Sequence, residues 1–164
     1  MSWTKRGAPA WEHPFGRSAK AYAVVIDDMP LYRHGVVRLL GEMPGIGRVE
    51  PVETDALAER HARLPAPDLL VFGMPPDLAH GWHLLRQASV MLKPRRLLLV
   101  SDNMWLRLPP GLDARFARAL SRSASLATIE RDVRMLLDLP SHEETSPEPA
   151  ARSTAFQHPF HVLA

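Results

Sequence analysis

The chain has 164 residues, 46% of them apolar and 23% charged, with sixteen prolines and no cysteine. That length and composition suit one hydrophobic core with short extensions and argue against two domains or disorder throughout, while the missing cysteines exclude disulfides, thiolate zinc sites and a cysteine nucleophile. The formal charge of +2 does not announce nucleic-acid binding, no apolar run reaches the roughly 20 residues of a membrane span, and the N-terminus lacks a secretory apolar core, so a cytoplasmic protein is expected.

Residues 1–20 mix Trp3, Trp11 and Phe15 with prolines and glycines and show no periodicity, which predicts an irregular arm. The run AYAVVI from Ala21 reads as a buried strand that stops at Asp27-Asp28. Pro30 suits the first turn of a helix whose apolar side carries Leu31, Val36, Val37, Leu39, Leu40 and Met43, and Pro44-Gly45 ends it. A weak strand at Val49 to Val52, interrupted by Pro51, precedes a helix predicted over Thr54 to Leu64. DLLVF after Pro67 is a second apolar strand, closed by Gly73-Met74-Pro75-Pro76, and a helix from His80 to Leu92 follows. RLLLV from Arg96 is the third strong strand and ends at Ser101-Asp102-Asn103. Leu108-Pro109-Pro110-Gly111 breaks whatever helix begins there. Strand character returns over Phe116 to Leu120, and Ser125 caps an amphipathic helix through Leu126, Ile129, Val133, Leu136 and Leu137, ended by Pro140. The remainder reads as a polar tail.

Five strands alternating with helices, three of them apolar throughout, predict an α/β fold with a doubly wound five-stranded parallel sheet covered on both faces. The expected organisation is an arm at 1–20, one domain at 21–139 and a disordered tail at 140–164. In such folds the carboxyl ends of the strands form the functional crevice, and Asp27, Asp28, Gly73 and Ser101 fall there. Charge is unevenly spread: Ala21 to Leu92 hold six basic and nine acidic residues, Lys93 to Arg134 nine basic and four acidic. Without interleaved aromatics the later basic region does not read as a nucleic-acid surface; an acidic protein partner is the expectation.

VVIDDMPLYRHGVVRLL resembles the opening of a response-regulator receiver domain, especially the kind that precedes LuxR-type DNA-binding domains. PDLLVFG, followed by Gly81 and Leu84-Leu85, and RLLLVS in the place of the fourth strand extend the likeness over Ala21 to Leu139. The resemblance implies the receiver (flavodoxin-like) fold and a place in two-component phosphorelay signalling. It also implies that Asp27 and Asp28 match the family's Mg²⁺-binding acids and Ser101 its hydroxyl, while Gly73 stands at the phosphoacceptor position, Arg122 at the lysine position and Ala119 at the aromatic switch. Glycine offers no oxygen nucleophile for phosphoryl transfer, Asp68 lies at the far end of its strand, and Asp77 lies beyond two prolines. Asp27 and Asp28 alone would hold Mg²⁺ weakly at most, since hard cations take several oxygens; otherwise no cofactor is expected.

Nothing else in the chain reads as an active site. Ser101 has no paired histidine, and no GxSxG or phosphate loop occurs; His80 and His83 read as surface residues, and the apolar residues near His158 and His161 as a short docking motif or an inert tail. The expectation is therefore a degenerate, phosphorylation-independent stand-alone receiver (a pseudo-receiver), not an enzyme, acting through a protein partner such as a regulator or sensor kinase. The partner-binding face would carry Arg107, Arg115, Arg118, Arg131 and Arg134, with a homodimer through the same face as a further outcome and no direct contact with nucleic acid or membrane. Two alternatives stand beside it: an anion or small-ligand sensor using a vacated acceptor pocket of Asp27, Asp28, Gly73, Ser101 and Arg122, and a phosphorelay receiver using a non-standard acid.

Overall fold

The computed structural model describes residues 20–103, 106–108 and 115–140. The expected arm, the tail beyond Pro140 and the proline pair at 109–110 lie outside the described residues. Within them the order is β1 (Ala21–Ile26), α1 (Pro30–Glu42), β2 (Ile46–Val52), α2 (Leu57–Arg60), a 3₁₀ turn (His61–Arg63), β3 (Leu69–Gly73), α3 (Leu78–Leu92), β4 (Arg96–Ser101), β5 (Ala117–Ser121) and α4 (Leu126–Leu136).

All neighbouring strands pair in parallel, in the order β2-β1-β3-β4-β5. The three continuous apolar runs are thus the three central strands, which explains their lack of alternation: a strand covered on both faces has no polar side. Alternate residues of β1 feed two cores. Ala23 and Val25 pack with Val36 and Leu40 of α1 and Ile129, Val133 and Leu136 of α4. Val24 and Ile26 pack with Phe72, Leu57 of α2, and Leu85, Ala88 and Leu92 of α3.

The differences from the sequence reading lie where propensity is weak. β2 is longer than expected and keeps Pro51, paired with Val25, because it is an edge strand whose outer side needs no amide donor. The predicted helix over Thr54 to Leu64 contracts to one turn and a 3₁₀ turn, with Pro65 and Pro67 preventing continuation. β5 is displaced by one residue, to Ala117–Ser121. α3 starts two residues early because Asp77 caps it, accepting from the amides of Ala79 and His80, and Ser125 caps α4 through the Thr128 amide as expected.

This topology brings the ends of β1, β3, β4 and β5 to one rim. Gly73 pairs with Val100, and Ser101 with Ser121. Residues 27, 73, 101 and 122, far apart in sequence, are neighbours because four parallel strands stop at the same height.

Candidate functional site

Asp27 is the first residue beyond β1 and is only 2% exposed. The Met29 amide donates to its Oδ1 at 2.7 Å, an Asx-type turn that carries the chain into Pro30 and α1. One turn into α1, Arg33 donates to the Asp27 carbonyl oxygen at 2.6 Å and to Glu53 Oε1 at 2.8 Å. The start of α1 is therefore tied to the ends of both β1 and β2.

Arg122 follows β5, its amide donating to the Ser101 carbonyl at 3.0 Å. Its side chain, 8% exposed, turns across the strand ends. Nη1 donates to both carboxylate oxygens of Asp27, at 3.0 and 2.8 Å, and to the Met29 sulfur at 3.3 Å. Nη2 donates to the Met74 carbonyl at 3.0 Å. The guanidinium carbon lies 5.4 Å from the centre of the Tyr32 ring, within cation–π range. Asp102 Oδ2 approaches Nε to 3.2 Å, yet off the N–H direction, so Nε makes no hydrogen bond.

Gly73 completes the arrangement by having no side chain. A Cβ there would sit 1.9 Å from Asp27 Oδ2, 2.4 Å from Asp27 Cγ and 3.0 Å from Arg122 Nη2. No side chain fits while Asp27 and Arg122 hold these positions. Glycine at the end of β3 and arginine after β5 are thus one structural solution: the space beside Gly73 is where the ion pair sits.

Burial dominates the electrostatics. It pushes the Asp27 carboxyl above its ordinary range, against the downward pull of the Met29 amide and the Arg122 guanidinium, with Asp28 adding to the rise and Arg33 opposing it. Burial likewise pushes the Tyr32 hydroxyl up to about 12; Arg122 works against this, while Asp27 and Asp102 reinforce it. The Tyr32 hydroxyl has no hydrogen-bond partner.

Several expected site residues part company here. Asp28 is exposed and lines a groove of about 610 Å³ with Arg33, Glu53, Asp55 and His80. Ser101 is buried, and its hydroxyl accepts from the Asn103 amide at 3.0 Å, closing the turn after β4. The pocket expected to stand vacant is filled by the Arg122 guanidinium, because β5 ends beside β4 and the long side chain spans the rim. Both Asp27 oxygens already face a cation, and no group of three or more metal-ligating side chains occurs among the described residues. The set as arranged does not offer Mg²⁺ the several oxygen ligands it takes.

The non-standard acids are also engaged elsewhere. Asp68 accepts from the Tyr22 amide at the opposite end of the sheet, and Asp77 caps α3. On the later basic face, Arg134 is buried, paired with Glu130 at 2.7 Å and bonded to the Pro140 carbonyl. Much of its charge is therefore met within the chain. Arg118 and Arg131 converge on the buried Asp132, at 3.3 and 3.4 Å; Arg107 bonds the Leu106 carbonyl, and Arg115 lines a small groove with Arg96, Arg118, Met135 and Asp138. Met29, Tyr32, Met74 and Asp102 were not singled out for this site by sequence, since nothing local marks them as contacts of an arginine some twenty to ninety residues away.

No protein-family model and no curated protein matches the chain. Solved structures do match. The signal receiver domain of a signal transduction histidine kinase from Syntrophus aciditrophicus aligns at a TM-score of 0.52 and 18% identity, over 85% of this chain and 99% of that one. A two-component transcriptional regulator AraC from Clostridium phytofermentans aligns at 0.53 and 14%, over 73% and 93%. The structure of the phosphorylated P1 domain of CheA3 in complex with CheY6 from R. sphaeroides aligns at 0.53 and 15%, over 73% and 99%. At these identities the likeness establishes the fold: the chain has the five-stranded parallel receiver (flavodoxin-like) architecture. No helix among the described residues is long and apolar enough to cross a membrane.

Proposed function

We propose that this chain is a receiver-fold signalling protein that works by protein contact, with the fold's phosphoryl-accepting chemistry replaced by a fixed Asp27–Arg122 ion pair. The observation that carries the reading is the overlap of any Cβ at Gly73 with the Asp27 carboxylate, 1.9 Å from Oδ2. A carboxylate nucleophile at the end of β3 and this ion pair exclude one another. In this reading the guanidinium supplies, permanently and from within the chain, the positive charge that a bound cation would otherwise bring, so the rim stays in one state and no catalytic step or Mg²⁺ is involved. The elements at the rim are joined by Arg33 and Arg122.

The contact surface in this proposal is the face of β5 and α4. Phe116, Leu126 and Met135 are exposed there, beside arginines that share the face with Glu130 and Asp138. Because the face carries both signs of charge, it favours pairing of two copies over capture of a purely acidic partner. A regulator or kinase of the same signalling class would use the same apolar residues. The complex of the phosphorylated P1 domain of CheA3 with CheY6 shows a protein partner bound in a structure of this fold.

Incubation of the full chain with acetyl phosphate and Mg²⁺, followed by intact-mass measurement, tests the core of the proposal. The expected result is an unchanged mass; a phosphoryl adduct, mapped to any aspartate of the rim, contradicts it. For the contact face, Met135→Asp is expected to lower self-association in a light-scattering concentration series, and an unchanged profile removes that face.

A further inference from the structure

The outward face of α3 is out of keeping with an ordinary solvated helix. Val90 is 74% and Met91 37% exposed, although neither serves the core, which α3 meets through Leu85, Ala88 and Leu92. His83, Arg86, Gln87, Val90 and Met91 recur at helical spacings of three and four, so they form one continuous stripe. They line a shallow groove of about 320 Å³. Its composition is one-sided: between Asp77 and Asp102 the sequence has no acidic residue but carries Arg86, Lys93, Arg95 and Arg96 with His80 and His83. Arg95 and Arg96 are drawn to Asp68 and Asp138. Among the described residues, Arg86 and Lys93 make no ion pair; one lies four residues before Val90, the other three residues after it.

We infer that this face of α3 is a docking surface for an acidic amphipathic segment of a partner protein. Apolar side chains of the segment would cover Val90 and Met91, with the unbranched thioether adapting to their shape, while carboxylates would meet Arg86 and Lys93. Charge complementarity selects this occupant. A basic or neutral segment would bury the same apolar area, yet would leave two cations facing like charge or nothing. The surface lies outside the Asp27–Arg122 site and away from β5 and α4, so it stands or falls separately from the proposed function.

The test is amide chemical-shift mapping on the isotope-labelled full chain with two synthetic helical peptides of identical apolar pattern, one flanked by glutamates and one by lysines. The acidic peptide is expected to shift the amides of Arg86, Gln87, Val90 and Met91. Affinity should fall at least tenfold in Val90→Asp and in Arg86→Glu, and weaken with added salt. Both substitutions lie on the exposed stripe, and an unchanged spectrum elsewhere verifies folding. Equal response to the two peptides, shifts spread over the molecule, or no shifts overturn the inference. So do α3 shifts that follow protein concentration alone, which would make the occupant a second copy, and tighter binding by a peptide of residues 141–164, which would make it the chain's own tail.

Discussion

Removing Arg122 takes away the cation bonded to both oxygens of the buried Asp27 carboxylate. Arg122→Met keeps the length of the side chain and is predicted to cost about 3–5 kcal/mol near neutral pH, the range for one partner lost from a buried pair. Part of that loss should return on acidification, because Asp27 can then take up a proton; urea unfolding at pH 7 and at acidic pH checks both statements. Gly73→Ala attacks the same pair from the other side. Its Cβ must displace the carboxylate, so a comparable loss is expected, whereas an alanine tolerated within about 0.5 kcal/mol would show that the rim relaxes freely.

The two titrating groups of the site have defined signs. Asp27 is held above its unfolded value, so its contribution to stability is fully present below the ordinary aspartate range and is lost as pH rises through its folded value. Tyr32, at about 12, contributes stability that is complete below about 10 and disappears as pH rises toward 12. Tyr32→Phe keeps the ring against Arg122, removes a hydroxyl without a partner, and is predicted to be neutral or to stabilise by about 1 kcal/mol. It should also delay alkaline unfolding, read as melting temperature against pH. At this scale the sequence was half legible. The Asp27, Gly73 and Arg122 positions were readable from strand ends and resemblance, but an arginine filling the space beside a glycine was not, since it depends on how far a side chain reaches across four strands.

Among the elements, the central strands were legible because apolar runs of five or six residues, set off by acidic residues, glycine or proline, admit little else. The start of α4 was legible too, since Ser125 advertises a local hydrogen bond, whereas the Asp77 cap and the two residues it adds to α3 were not read from the sequence. Ser125→Ala and Asp77→Ala are each predicted to cost about 1 kcal/mol, measurable as separate, additive shifts in the unfolding midpoint. The edges of the sheet were least legible. Pro51 looks like a strand breaker until β2 is known to lie at the edge, and α2 loses most of its length because His61, Ala62 and Arg63 tighten into a 3₁₀ turn before Pro65.

Across the whole molecule, the swing of charge along the chain is softened by local pairing: Arg33, Arg48 and Arg60 meet Glu53 and Glu50 around β2. Much of the arginine excess is neutralised internally by Glu130, Asp132 and Asp138, so the net charge of a sequence segment overstates what a partner meets. The fold places four strand ends at one rim, and there a doubly tethered guanidinium now joins β1, β3 and β5. Its side-chain bonds tie the ends of β1 and β3 to the residue that follows β5.

A double-mutant cycle on Asp27 and Arg122, comparing the wild-type chain with Asp27→Asn, Arg122→Met and the combined variant by denaturant unfolding at neutral pH, tests that statement most directly. Each single change is expected to be costly, and the combined variant to be more stable than the sum of the two losses implies, with a coupling toward the upper end of about 0.5–3 kcal/mol. Additive losses would contradict it, because the two side chains would then not depend on each other.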